Sequence, residues 1–179
     1  MNAIFTLCAM LVAGGQPGTA AWYQKKADQA IAKAQSSKKA EAMDLIDEMR
    51  KKADEQGSQD WKLWVEWKKG RCEYALGDLS QSIATWEKIE LVKKFPLRHA
   101  LVRDLGDAHL ESGNPAKAEG HFKDAAGMSE KFEPTERASI SLKLIQCQIG
   151  LTKMDEARKN LSAARKTLDG IKAEANAEQ

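Results

Sequence analysis

Charge of one sign, long apolar runs and β-branched strand patterns are all missing from this chain of 179 residues. Its 28 basic and 26 acidic residues nearly cancel to a net charge of +2. They are interleaved along the sequence, so no field builds up that would attract a nucleic acid or an anionic membrane. The longest largely apolar run, AIFTLCAMLVA from Ala3 to Ala13, is far short of the roughly 20 residues that a membrane span needs. Cysteine and histidine are also scarce, at three residues each. Cys72 and Cys147 lie within helical patterns beside apolar neighbours, which favours buried thiols over a disulfide or a metal pair. His99, His109 and His121 include no pair at the short helical spacing of a zinc site, so no metal is expected. The sequence contains no Gly-x-Ser-x-Gly elbow, phosphate loop or dinucleotide fingerprint. Without a catalytic constellation, neither an enzyme nor a cofactor is expected.

What is present suits helices. The chain is 42% hydrophobic and 30% charged with only 6% aromatic residues and 4 Pro, a balance of apolar stripes and solvated charged faces. The first twenty residues contain no charged side chain, and every Lys, Arg, Asp and Glu follows them. The apolar run there is succeeded by Gly14-Gly15-Gln16-Pro17-Gly18 and then by small residues, the order found in secretory signal peptides. Cleavage after Ala20 and an exported, periplasmic or secreted location are expected, with no integral membrane segment afterwards. The alternative is an apolar N-terminus that packs on the first helix of a cytoplasmic protein.

Two internal segments share one grammar. The first runs from Lys69-Gly70 through Gly77-Asp78 to Trp86-Glu87-Lys88-Ile89, and the second from Leu105-Gly106 through Gly113-Asn114 to Phe122-Lys123-Asp124-Ala125. In each, a Gly midway along a first helix admits a close neighbour, and a second Gly seven residues on closes that helix in the left-handed conformation. Asp78 and Asn114 then stand at N-cap positions, with Pro115 in a first turn. A small residue, Ser82 or Ala118, lies four places before an aromatic, Trp86 or Phe122, on one face of the second helix. Weaker copies flank these two, with Ala30 and Ala42 upstream and Ile145, Ala157 and Leu161 downstream. Ser37 and Thr152 take the place of the helix-ending Gly in the flanking copies.

The arrangement resembles the tetratricopeptide repeat, with anchors roughly 36 to 40 residues apart against about 34 in that family. The resemblance implies an all-α, right-handed superhelix (solenoid) of about four antiparallel helix pairs closed by a C-terminal capping helix. Repeats are expected over approximately 21–57, 58–95, 96–133 and 134–175. The helical pattern places elements at 21–35, 38–56, 59–76, 79–94, 97–112, 115–132, 135–151 and 154–175. In the last of them Leu161, Ala164, Leu168 and Ile171 form one apolar stripe.

The third helix holds three of the five Trp residues. At about 100° per residue its polar arc is narrow and Arg71 projects between Trp64 and Trp67, with Tyr74 a turn away on the Trp67 side. Proteins of the resembled family line a concave groove with the first helices of their repeats. The matching positions here are Trp64, Trp67, Arg71 and Tyr74, then Arg103, Asp107 and Leu110. Aromatics and Arg are the residue types that dominate binding hot spots, although each Trp taken alone reads rather as core, and only the set with Arg71 reads equally as a binding surface. The family's clamp for C-terminal carboxylates requires Lys and Asn where this chain has Trp67 and Arg71, so that specificity is not implied. Lys68, Lys69 and Arg71 beside Trp67 are balanced by acids, and no nucleic-acid footprint is expected. The expected partner is a protein or peptide ligand held by an adaptor or scaffold. The alternative is a structural subunit forming a homo-oligomer through its Trp-rich apolar surface.

Overall fold

The computed structural model describes residues 16–92 and 95–177, and the apolar run of residues 3–13 lies outside them. Among the described residues are eight α-helices: α1 Ala20–Gln35, α2 Lys39–Glu55, α3 Gln59–Ala75, α4 Leu79–Glu90, α5 Arg98–Glu111, α6 Pro115–Gly127, α7 Pro134–Gly150 and α8 Met154–Ala177. A short 3₁₀ turn spans Ser129–Lys131. Most bounds fall within two residues of the sequence pattern. The exceptions are α4 and α6, expected to reach 94 and 132 but ending at Glu90 and Gly127. In both places an aromatic one or two residues before a proline, Phe95 ahead of Pro96 or Phe132 ahead of Glu133-Pro134, is buried. Returning that ring to the interior, ahead of a residue that disfavours helix on its N-terminal side, outweighs another helical turn.

The chain divides into two compact units, Met1–Pro96 and Leu97–Gln179. In the first, α1 pairs with α2 and α3 with α4, while α3 also packs on α1 and α2. Thr19 caps α1 by accepting the Trp22 N–H at 3.2 Å. The Gly18 carbonyl accepts from Gln56 Nε2 at 2.9 Å, so these residues join the folded unit. In the second unit, α5 pairs with α6 and α7 with α8, and α6 packs on α7.

Five connections close by one device. Ser37, Gly57, Gly77, Gly113 and Thr152 all have positive φ, and in each the next N–H donates to a carbonyl five residues back, as from Asp78 to Glu73 at 2.9 Å and from Lys153 to Gln148 at 2.8 Å. Ser37 and Thr152 hold φ of 58° and 59°, a region that costs an L residue with a Cβ about 1–2 kcal/mol. The turn is thus retained in the outer pairs even where its preferred residue is lost. Asn114 caps α6 as expected, its side chain accepting from the Lys117 N–H at 3.2 Å. Asp78 does not cap through its side chain. Its carboxylate pairs with Lys39 at 2.6 Å, a charge-assisted bond that competes with a backbone amide.

The first three pairs share buried positions sixteen residues apart on their two helices, and in the two central pairs a ring sits on a glycine there. The Trp86 indole lies over Gly70, where an added Cβ would come within 2.2 Å of Nε1. The same indole N–H donates to the Trp67 carbonyl at 3.0 Å. Phe122 covers Gly106 in the same way, at 2.7 Å from the position of a Cβ. The aromatic follows the glycine by sixteen residues in both pairs. At that separation, buried Ala30 and Ile46 hold the corresponding places in α1 and α2. The small residues Ala42, Ser82 and Ala118 are all fully buried, which leaves the partner helix room to approach.

Two substitutions separate close packing from helix propensity. Gly106→Ala should destabilise the chain by about 1–3 kcal/mol, since the Phe122 ring must move and the gain in propensity does not compensate. Gly120→Ala, at a helical position with nothing within 4 Å of the new Cβ, should stabilise it by about 0.5–1 kcal/mol. Urea unfolding of both variants measures the difference, and equal shifts of the same sign would refute the ring-on-glycine contact.

Candidate functional site

In the first unit the indoles of α3 face two ways. Trp64 is 1% exposed and sits 6.1 Å from Tyr23 and 5.5 Å from Trp61 in edge contacts. Trp61 stacks on Tyr23 at 4.1 Å, and Trp22 meets Tyr23 edge-on at 5.0 Å. Four aromatic rings thereby join α1 to α3, each pair contributing on the order of 1 kcal/mol beyond its buried area. The Tyr23 hydroxyl donates to Gln56 Oε1 at 3.0 Å. Burial, with help from the Glu55 and Asp54 carboxylates, pushes its pKa up to about 12. Trp64 is therefore interior, as one reading of each Trp allowed.

Trp67 is 5% exposed and lies beside two of the cations of this helix. The Arg71 Cζ lies 5.5 Å from its ring centre and Lys68 Nζ 4.7 Å, while Lys68 is also 4.9 Å from Trp64. Lys68 is itself 5% exposed. In the sequence Lys68 stands out only as one of three basic residues beside Trp67, yet a lysine four residues after Trp64 and next to Trp67 lies within reach of both rings. Tyr74 is half-buried with its ring 6.1 Å from Trp86 of α4. Trp67 and Arg71 come together as the sequence pattern expects, Trp64 joins them through Lys68, and Tyr74 leans on α4. Burial of Trp64 and Trp67 leaves the Trp-rich helix little apolar surface to offer a second copy.

In the second unit the expected residues are engaged by α7. Arg103 contacts Asp104 at 2.7 Å and Glu136 at 2.5 Å. Burial works against its charge, but Asp104 and then Glu136 hold the guanidinium pKa above its ordinary value. Asp107 pairs with Lys143 at 2.6 Å. Its burial raises the carboxyl pKa even though that lysine opposes the shift. Leu110 is partly buried against the core of Val102, Ala118, Phe122 and Leu144. Glu136 and Lys143, which the pattern had not singled out, thus share this face with Arg103 and Asp107. Their only signal was an acidic and a basic residue seven places apart on α7.

Cys72 and Cys147 are free and buried. Burial, followed by the Glu73 charge, pushes the Cys72 thiol up to about 11, so it stays protonated and unreactive near neutral pH. His109 and His121 stack at 5.3 Å with ring planes 2° apart. Among the described residues no three of His, Cys, Asp and Glu gather where they could hold a metal ion.

No protein-family model matches the chain, and no curated protein sequence does. Solved structures do. One is of a Podosopora anserina protein assigned as a kinesin light chain with nearly identical TPR-like repeats, at 14% identity with a TM-score of 0.61 over 94% of this chain and 84% of that one. A single-substitution variant of the same protein aligns at 14% identity with a TM-score of 0.63, covering 95% and 85%. The present chain has a TPR-like repeat fold, all-α with eight helices packed as sequential pairs.

Truncation of the indole between α1 and α3 tests its role directly. Trp64→Ala should lower stability by about 3–5 kcal/mol, read by urea unfolding with the near-ultraviolet circular dichroism of the aromatic cluster. A loss under about 1 kcal/mol would return Trp64 to the surface and to the list of contact residues.

Proposed function

We propose that this TPR-like chain is a scaffold that binds a peptide or a partner protein along the first helices of its repeats, in an exported setting. The fold is one that generally serves protein–protein interaction and is typically non-catalytic. The observation that supports the reading most is Arg71 over the Trp67 ring, half-buried with half-buried Tyr74 one turn on. A guanidinium beside an indole gains cation–π attraction, and guanidinium and phenol are groups that can hydrogen-bond a carboxylate or carbonyl of a ligand. Arg, Trp and Tyr are also the residue types that contribute most to binding energy. Arg103 and Asp107, joined to Glu136 and Lys143, supply paired charges on the second unit's first helices.

The experiment is selection of displayed random peptides on the purified chain, followed by affinity measurement with Arg71→Glu and Tyr74→Ala. Each variant should bind a selected peptide at least about tenfold more weakly, equivalent to about 1.4 kcal/mol, while circular dichroism stays unchanged. Unaltered affinity in both folded variants would remove this surface from the function.

The exported setting is supported by the uncharged N-terminal twenty residues. Cleavage after Ala20 would take the Thr19 cap with it, at about 1 kcal/mol, leaving the remainder of α1 in place. N-terminal sequencing of the protein from its compartment should begin at Ala21, whereas recovery of Met1 from a cytosolic fraction would reject export.

A further inference from the structure

We propose that the C-terminal helix pair is an interface for a second copy of this chain. The proposal goes beyond peptide binding and concerns a different surface. On α8, Met154, Leu161 and Leu168 recur at every seventh residue and remain 45–53% exposed. On α7, Leu142 and Ile149 keep the same spacing, each 51% exposed. Between them run buried residues, Ala138 and Ile145 on α7 and Ala157 and Ala164 on α8. Alternate steps of three and four produce two apolar rows per helix, the pattern of helices that pack in bundles. Here one row is used, with Ile145, Ala157 and Ala164 in a single cluster, and the other is left to solvent.

Both open rows turn to the same side. On each helix the exposed row lies roughly 50° around from the buried one in the same rotational sense, at about 100° per residue. Since α7 and α8 run antiparallel through a three-residue turn, equal rotations bring the rows together beside the seam. The other flank of α7, with Ile140, Leu144 and Cys147, is already packed with Phe122 of α6. No described segment covers the open rows.

About half of each of five large aliphatic side chains amounts to something on the order of 400–500 Å², comparable with the largest apolar patch of a typical monomer, which is often functional. It is also more than half of the roughly 800 Å² that each partner gives to a standard interface. A second copy fits because the hairpin is half of a four-helix bundle and carries matched rows on both of its helices. Arg158 and Arg165 border the α8 row, three residues ahead of Leu161 and Leu168, while Ser139 and Gln146 border the α7 row at the same offset. A two-fold axis along the helices sets α8 against α7 of the other copy, so the basic edge meets an uncharged one and like charges stay apart. A partner with an acidic edge is less favoured, because Asp155 lies 3.7 Å from Arg158 and Asp169 follows Arg165 by four residues.

Sedimentation velocity of the full chain over a dilution series tests the interface. The mass should rise from the monomer value of 19.8 kDa toward twice that value as concentration increases. Leu142→Lys with Leu161→Lys should weaken the dimer at least tenfold with helicity retained, and Leu91→Lys, at an exposed leucine of α4's C-cap, should leave it unchanged. Should the double variant lose helicity, Leu161→Gln alone carries the comparison. A chain that is monomeric throughout, a dimer that survives the substitutions in both rows, or one abolished by Leu91→Lys would overturn the proposal.

Discussion

A ring seated on a glycine sets the spacing of this molecule. Where Trp86 covers Gly70 and Phe122 covers Gly106, no room remains for even one methyl group, so the two helices of a pair meet at a distance that backbone and ring define together. The three-residue turn closed by a left-handed residue is compatible with that distance, and the same turn also joins α1 to α2, α2 to α3 and α7 to α8, where no ring covers a glycine among the described residues. The small residue four places before each ring follows from the contact, because any larger side chain there would push the partner helix away. Trp86 adds direction to the contact by donating to the Trp67 carbonyl, and so ties α4 to the stretch of α3 that bears the cations.

Neighbouring pairs are joined by different means in the two units. Between α1 and α3 the seam is aromatic, with Trp22, Tyr23, Trp61 and Trp64 in mutual contact. Between α5 and α7 it is ionic, through Arg103 to Glu136 and Lys143 to Asp107. A hydrophobic seam buries its residues and removes them from recognition, whereas a partly buried ionic seam keeps polar groups near the surface. This difference explains why the helix richest in tryptophan offers a ligand fewer indoles than its composition suggests, and why Arg71 and Tyr74 carry the proposed contact there.

The terminal pair departs from the pattern in a consistent direction. Ile145 occupies the place of the glycine and Leu161 that of the ring, sixteen residues later. With bulk moved onto α7, Ile145 packs against Ala157 and Ala164, and Leu161 no longer has a glycine to cover. It therefore remains at the surface with Met154 and Leu168. A stripe that reads in the sequence as the inner face of a capping helix is divided by the structure, with Ala164 inside and Leu161 and Leu168 outside.

By itself the sequence determined the local terms. Turn glycines, Asn114 with Pro115, the 3.6-residue periodicity and the small residues opposite rings are all set by backbone geometry and side-chain volume within one helical hairpin, and they imply eight helices in successive pairs. Tertiary structure alone decided which face of each helix is shared with a third helix. A wheel drawn for α3 cannot distinguish an indole in a groove from one covered by Tyr23, because the covering ring lies about forty residues away on α1. Nor can it foresee that Lys68 enters between two indoles, or that Asp78 prefers Lys39 to the amide it stands beside. Those choices depend on charges and rings brought together only after the pairs have stacked, and the energy of each is set by the desolvation that stacking imposes.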